Sequence, residues 1–538
     1  MTKTTRRALM SGALGLSAGV VMGRPGWVAG LLPELSASPQ RRAAAWLSSE
    51  AQRPLALWGV MSGEVSPQRA VVWSKSDRPA TFKLSWSLDP DFKVVHRAQE
   101  VDALPDYDCT VRVTLSGLPA GRRIFYRAHF ESLLHPGVRS APLFGELSTP
   151  PADLSTPLRF GWSGDSFGQG YGINPQIGGV LLYDATRREG LDFFVHCGDR
   201  IYADQPLKPM KGAGGGRRWY NLLTPEVERV AEELNDFRGY YRYTLMDEPT
   251  RRFYQVCPQY FVWDDHEVKN DWSPMTPLRS ARYKTRDIKL LARRSRRAFY
   301  EYSPFPEGWP SAPQMYRQVS YGPGLDLFIL DGRSFRGSNA REGHMSESAS
   351  EASAMLGPTQ LEWLKRSLSA SRALWKLVVC PQPLALMVGS RDGGYDGFSS
   401  GTSGATGREL ELLSLLRHLY RERVEGVVWL SADVHYAAAH HFHPERSELG
   451  EFNPFWEFVA GPINAATLGP KRLDPTFGPR VDFKSVKDSL KRGLSPLDQQ
   501  QFYGMGELDP ITKQLHITLH NLTGEIIYRR ALEPTHRR

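Results

Sequence analysis

The sequence predicts an α/β domain built on an open sheet and preceded by a small all-β block. Three observations predict it. Between about residues 55 and 148, short alternating strands succeed one another without a helical pattern. From Leu158 onward, apolar strands alternate with helical periodicity. Four stretches, Gly164-Asp165-Ser166, Gly198-Asp199-Arg200-Ile201-Tyr202, Asp264-Asp265-His266-Glu267 and Asp433-Val434-His435, set carboxylate, imidazole or phenol just after an apolar run. Open α/β sheets collect ligands outside one end of their strands, so groups far apart in the chain can converge there.

The chain has 538 residues, too many for one small core, and two or three domains are expected. With 41% hydrophobic, 23% charged and 11% aromatic residues it is globular, and collagen-like, fibrous and solenoid classes are excluded. At the amino terminus, Thr5-Arg6-Arg7-Ala8-Leu9-Met10 precedes a small apolar run from Ala13 to Met22, and no acidic residue occurs before Glu34. Residues 1–40 therefore read as a cleaved export signal of twin-arginine type, with an ordinary signal or an uncleaved anchor as the alternative. That route carries folded proteins and suits an enzyme whose metals are loaded before export. It predicts a periplasmic or secreted bacterial protein whose early partner is the twin-arginine export machinery. The run is short and glycine-rich for a membrane span.

The formal charge is +9, and setting aside the four bases of residues 1–30, which contain no acid, leaves +5. This helps attract anions but is no nucleic-acid-binding footprint. The arginine run Arg293 to Arg297 reads as a solvated helix face. Cys109, Cys197, Cys257 and Cys380 lie far apart with no metal-binding spacing, and Cys197 reads as a small buried hydrophobe.

The all-β block, residues 50–150, carries strands at Arg69 to Ser74, Thr81 to Ser87, Cys109 to Leu115 and Ile124 to Phe130. Its Leu115-Ser116-Gly117-Leu118-Pro119-Ala120-Gly121 turn before Phe125-Tyr126 suits a fibronectin/Ig-like sandwich. It holds no carboxylate or histidine cluster, which makes it a supporting element. A Pro/Ser/Thr linker runs from Ser148 to Pro157. The catalytic segment, residues 157–538, opens with a βαβ unit: Arg159 to Ser163, a helix near Gly178 to Arg188, and Asp192 to Cys197. Further strands are expected at Tyr260 to Trp263, Leu325 to Leu330, Trp375 to Cys380, Val427 to Leu430 and Phe455 to Val459. Helices fit Pro358 to Ser369 and Arg408 to Arg423. The chain ends in a hairpin around Asn521-Leu522-Thr523-Gly524.

The candidate donors are oxygen and nitrogen without thiolate, a set that favours harder divalent or trivalent metals over structural zinc. Asp165 and Asp199 follow glycines that let the backbone turn close to an ion, although each alone reads equally as a cap. Asp264 to Glu267 is more specific, because four consecutive ionisable groups repel one another without a cation or a chain reversal. Asp433 and His435, two residues apart, share one side of an extended chain.

These motifs carry a family resemblance. The chain resembles the alkaline phosphatase D (PhoD-like) family of calcineurin-like metallophosphoesterases through Ser163 to Ser166, Gly170 to Pro175, Asp192 to Asp204, Trp263 to Val268, Leu330 to Gly337, Leu430 to Tyr436 and Phe455 to Pro462. The resemblance implies an αββα sandwich of mixed sheets behind the β block. It also implies a phosphate-ester substrate attacked in line by metal-bound water or hydroxide. By that resemblance Asp199 bridges two metals, Asp165, Tyr202 and His435 complete one shell, and Asp265 and Asp433 hold the second. A phenolate ligand favours trivalent iron, so Fe(III) with Ca(II) is implied, while the ligand set alone also accepts Zn, Mn or Mg. The competing reading of Tyr202 is an ordinary core tyrosine. The chain departs from the broader pattern at Phe167, where metallophosphoesterases carry a histidine, and at Asp165, where some relatives carry cysteine.

His266 is the candidate proton donor to the leaving oxygen, or else an orienting histidine. Arg333 and Arg336 are candidate phosphate clamps, or else ion-pair partners. Asn270 is a candidate substrate contact or ligand, or else a loop former. Asp204 to Tyr220, rich in glycine and bases, reads as a lid over an anion or as a surface insertion. Phe237, Tyr240, Tyr241 and Tyr243 read as core more readily than as pocket wall, and His440, His441 and His443 as structural or exposed. An alkaline phosphatase or phosphodiesterase, expected as a monomer, explains every motif. A phospholipase-D-like or cell-wall-polymer diesterase is the nearest alternative, and a metal-dependent adhesion protein with vestigial hydrolysis is the third.

Overall fold

The computed structural model describes residues 50–535, apart from 307, 309–313, 391–392, 403 and 491–492. The expected export signal lies outside the described residues.

Two sheets face each other. The first has nine strands, in the order Ile526–Leu532, Leu515–Asn521, Phe502–Leu508, Leu158–Ser163, Phe193–Cys197, Gln259–Val262, Val60–Ser66, Arg69–Lys75 and Thr110–Ser116. The second has seven, in the order Arg317–Ser320, Leu325–Ile329, Trp375–Val379, Val427–Ser431, Phe455–Val459, Ala438–Phe442 and Pro479–Lys484. Both are mixed: Leu158–Ser163, Phe193–Cys197 and Gln259–Val262 run parallel, whereas Phe502–Leu508 lies antiparallel to Leu158–Ser163. One apolar core joins their inner faces, with Phe160, Trp162, Phe193 and Val195 from the first sheet and Leu327, Ile329, Leu377, Val379 and Leu430 from the second.

Helices cover both outer faces. Leu181–Arg187, Leu234–Thr244, Glu248–Val256 and Ile288–Glu301 bury an aromatic-rich layer on the first sheet, and Gly357–Ala370 and Glu409–Arg421 bury a leucine-rich layer on the second. The parallel strands are buried on both faces, so they read as continuous apolar runs rather than alternating ones. The layering is αββα. Phe237, Tyr240, Tyr241 and Tyr243 sit on the Leu234–Thr244 helix as core. The carboxy-terminal hairpin forms one edge of the nine-stranded sheet.

The β block differs from a self-contained sandwich. Ala80–Ser87, Arg123–Ser132 and Leu143–Ser148, with two short strands, form a separate sheet, but Val60–Ser66, Arg69–Lys75 and Thr110–Ser116 extend the nine-stranded one. The reason is an edge. Gln259–Val262 is fully buried and would otherwise leave ladder groups unpaired. Gly63 permits the approach of Val60–Ser66, since a Cβ there would lie 2.2 Å from the Gln259 carbonyl oxygen. All four cysteines are free and buried. His440 pairs with Glu457 at 2.9 Å, and His441 stacks on Trp456, so both are structural.

Candidate metal centre

Every predicted metal-ligating residue lies just beyond a strand of one of the two facing sheets. Asp165 follows Leu158–Ser163, Asp199 and Tyr202 follow Phe193–Cys197, Asp265 follows Gln259–Val262, and Asp433 and His435 follow Val427–Ser431. The turns are sharp. Asp165, Asp199, Asp433 and His435 adopt φ of 65°, 53°, 62° and 61°, a left-handed region that L-residues other than glycine seldom occupy. Strain of this kind costs about 1–3 kcal/mol per residue and persists where surrounding structure enforces it. Gly198 makes one turn possible, because a Cβ there would meet the Asp264 Cβ at 2.6 Å. Gly461 leaves room for Asp165 in the same way, with its absent Cβ 2.5 Å from Asp165 Oδ2.

The donors converge. Oxygen and nitrogen atoms of Asp199, Asp265 and His266 lie within 4.8 Å of one another, as do those of Asp264, Asp265 and Asp433. The Tyr202 hydroxyl lies 3.1 Å from His435 Nε2, which is 3.6 Å from Asp165 Oδ1. His435 Nδ1 lies 2.6 Å from the Ala466 carbonyl and donates to it, which leaves Nε2 as the lone-pair donor. Burial lowers its pKa to about 4, so the ring is neutral at physiological pH. Burial also raises the acids Asp165 and Asp199 well above the usual carboxylate range, with Asp264 adding to the first and Asp265 to the second. Asp433 is raised too, by burial and then by Asp264. Burial and the Asp199 carboxylate push Tyr202 up.

Cations fit this donor set. Asp165 Oδ2, Asp265 Oδ1 and Asp433 Oδ2 are buried and have no hydrogen-bond partner among the described residues. Orphaned acceptors packed among like charges are costly, and cations would relieve both faults at once.

Around the donors is a positioning shell that sequence reasoning missed. Glu267 is fully buried and accepts from the backbone N–H of Asp199 at 3.1 Å, Arg200 at 2.7 Å and Asp264 at 2.6 Å. It thereby ties two donor loops together, and burial holds its pKa at about 7 despite those bonds. Asp204 Oδ1 lies 2.6 Å from His266 Nδ1. Burial lowers the imidazole pKa, but Asp204 and Asp265 overcome this and raise it to about 9. The His266 ring stacks on Tyr202 at 4.1 Å. Asp204 also accepts from the Asn270 N–H at 3.1 Å, so Asn270 contributes its backbone to this pair.

Arg333 and Arg336 differ from exposed phosphate clamps. Both are buried behind the donors. Arg333 donates to Asp264 at 2.5 Å and forks onto Asp396 at 3.0 and 2.5 Å, and lies 3.7 Å from Asp265. Arg336 bonds Asn339 Oδ1 at 2.8 Å and lies 3.3 Å from Asp396. Lys269, Arg279 and Arg282 line a cleft of about 840 Å³ together with Asp204, Gln205, Asn270 and Asp271.

The segment 204–220 is an anchored hairpin. Met210–Gly212 pairs with Arg218–Tyr220, Trp219 is buried, and Arg217 holds the Leu497 carbonyl at 3.1 Å and the Asp498 carboxylate.

The model of the PhoD-like phosphatase family matches residues 160–519, and that of the PhoD-like phosphatase N-terminal domain matches residues 40–151. The chain belongs to the PhoD-like phosphatase family. It is a phosphoester hydrolase. Alkaline phosphatase D of Bacillus subtilis (strain 168) is 23% identical over 445 residues, covering 77% of this chain and 70% of the relative. A solved structure of PhoD superposes with a TM-score of 0.66 at 19% identity, covering 91% of this chain and 94% of the other. The purple acid phosphatase PPD1 from yellow lupin (Lupinus luteus) seeds reaches 0.55 at 13% identity, covering 90% and 74%. These two likenesses concern the fold. The N-terminal match gives the β block its own family domain, even though three of its strands extend the catalytic sheet.

Proposed function

We propose that this PhoD-like phosphatase is an exported alkaline phosphatase or phosphodiesterase with two cations held by Asp165, Asp199, Tyr202, Asp265, Asp433 and His435. The observation that carries the reading is the set of buried, unpartnered oxygens of Asp165, Asp265 and Asp433 at converging strand ends. Bound cations would neutralise charge on the phosphoryl group and acidify a water for attack at phosphorus. The phenol of Tyr202 beside Asp165 and the neutral imidazole of His435 supports Fe(III) at that position, and the carboxylates of Asp265 and Asp433 suit Ca(II).

The chain's own residues supply the rest. His266, its Nδ1–H held by Asp204, keeps Nε2 directed away from that carboxylate and available to donate a proton to the leaving oxygen. Glu267 fixes the backbone of the Asp199 and Asp264 turns, so the donors need no rearrangement when cations enter. Lys269 and Arg279, in the cleft wall, orient the anionic ester. Arg333 holds Asp264 beside Asp265 and carries no substrate. The arginine pair at Arg6-Arg7 supports export by the twin-arginine route.

The test is turnover of p-nitrophenyl phosphate and of bis-p-nitrophenyl phosphate by the purified protein, before and after chelation, with Asp199→Asn as control. Chelator-sensitive turnover that Asp199→Asn abolishes supports the reading. Turnover that survives both would overturn it.

A further inference from the structure

Beside the cleft lined by Lys269 and Arg279 lies a second cavity, of about 590 Å³, and Met275 lines both. Its wall is apolar over much of its extent, with Pro274, Phe335, Ala354 and Leu361. Set into that wall are Ser334 and Arg336. Arg336 is 1% exposed, and its Nε and Nη1 have no hydrogen-bond partner among the described residues, nor has Ser334 Oγ. A buried guanidinium with two idle donors is expensive unless something supplies acceptors. Arg333, Arg336 and Arg408 are all buried here, and Asp396 is already forked by Arg333. Arg336 Nη2 is spent on Asn339 Oδ1 and on the Asp396 carbonyl and lies 3.3 Å from the Asp396 carboxylate, and Arg408 spends its donors on the Asn339 side-chain oxygen and on backbone carbonyls such as those of Gly397 and Gly337. Two carboxylates also line the cavity. Glu411 is occupied by the backbone N–H groups of Met355, Leu356 and Gly357, and Glu351 stands on the exposed rim.

We infer that this cavity is a second anion subsite, which takes the far end of a substrate carrying an apolar body and a second phosphate or carboxylate. Arg336 Nε and Nη1 and Ser334 Oγ donate to that group while the scissile phosphate sits at the metal centre. The ion-pair relay from Asp265 through Arg333 and Asp396 to Arg336 places the subsite a few side chains from the chemistry. The inference rests on the phosphoesterase reading and narrows it to bis-anionic esters.

The test compares α,ω-alkanediol bisphosphates of increasing length with the matching alkyl monophosphates. The readout is the ratio of kcat/KM within each pair, corrected for the two equivalent ends. Hydrogen bonds to a charged group predict a ratio of about tenfold or more at one favoured length. The ratio should fall toward one in Arg336→Met. Thr359→Glu, which adds charge at the exposed mouth on the first turn of Gly357–Ala370, should lower it without touching the buried arginine. A ratio near one at every length in the unsubstituted enzyme, or a ratio that both variants leave intact, overturns the subsite while monophosphate turnover preserves the phosphoesterase reading. Absence of turnover on every ester would remove both.

Discussion

Arg333 separates two accounts of the same residue. As a clamp it would hold substrate phosphate, whereas its geometry makes it the counter-ion of Asp264 and Asp396, with Asp265 at 3.7 Å. Arg333→Met removes the charge at similar bulk, leaves Asp264 with no ion-pair partner among the described residues and leaves Asp396 with Arg336 at 3.3 Å as its remaining cation. Breaking a buried ion pair from one side costs about 3–5 kcal/mol. For a folded unit of roughly 490 residues, at about 2.1 cal/mol/K per residue, the unfolding entropy is about 1 kcal/mol/K, so Tm should fall by about 3–5 °C. The sign with pH is fixed as well. Burial alone would raise Asp396, but the Arg333 and Arg336 guanidiniums hold it well below the usual range. Its stabilisation is therefore present above its ordinary pKa and lost in acid. Burial already raises Asp264 to about 7 against the pull of Arg333, and without Arg333 it rises further and Asp396 rises with it, so the variant regains more stability than the natural protein as pH falls from 7 to 5 and these carboxylates protonate. The assay is calorimetric unfolding of both proteins at pH 7 and pH 5, with kcat and KM on p-nitrophenyl phosphate. The expected result is a gap in Tm that narrows in acid, with loss in kcat and little change in KM. An unchanged Tm with a raised KM alone would refute the counter-ion account and restore the clamp.

Four further outcomes are expected. Asp199→Asn should abolish phosphate-ester turnover and lower the metal content found by elemental analysis. Tyr202→Phe should remove any visible charge-transfer band of the metal-loaded protein, and a band that persists would exclude tyrosinate as its source. Arg279→Ala, in the cleft wall, should raise KM several-fold, as one exposed charge contact is worth about 1 kcal/mol, and leave Tm unmoved. Burial, with Asp474, raises Glu409 from 4.5 to about 8, so its contribution to stability is complete below about pH 4.5 and lost as pH rises through 8. Between pH 6 and pH 9, urea denaturation should show the natural protein losing roughly 2 kcal/mol more than Glu409→Gln.

The donor residues were legible because strand ends are local features. An apolar run followed by Gly-Asp, or by four ionisable residues, announces a turn out of a sheet, and the structure gives Asp165, Asp199 and Asp433 the left-handed φ that such a turn requires. The strands at Leu325, Trp375, Val427 and Phe455 were legible for the same reason, since buried parallel strands are continuous apolar runs. What depends on pairing at a distance was not. Asp396, 63 residues from Arg333, has no local mark in a loop of glycine and serine, and an arginine beside a motif reads equally as a clamp or a counter-ion. The β block failed differently: alternating strands look alike whether they close a sandwich or extend a neighbour's edge, and the junction rests on Gly63 facing Gln259.

Glu267 and Asp204 belong to a third class, visible as residues but not as roles. Both lie inside the motifs that carry the resemblance, yet neither is a metal donor. Glu267 spends its oxygens on backbone N–H groups of both donor turns, and Asp204 spends its own on His266 and Asn270. A carboxylate so committed has little capacity left for a cation, whereas those of Asp165, Asp265 and Asp433 keep an oxygen free. Unspent lone pairs therefore set Asp165, Asp265 and Asp433 apart from Glu267 and Asp204, whereas Asp199, whose Oδ1 accepts from the His266 N–H at 3.1 Å, is placed by its position between the two groups of donors. The same accounting turns Arg333 into a counter-ion, because its donors are consumed, whereas Arg336 keeps Nε and Nη1 to give.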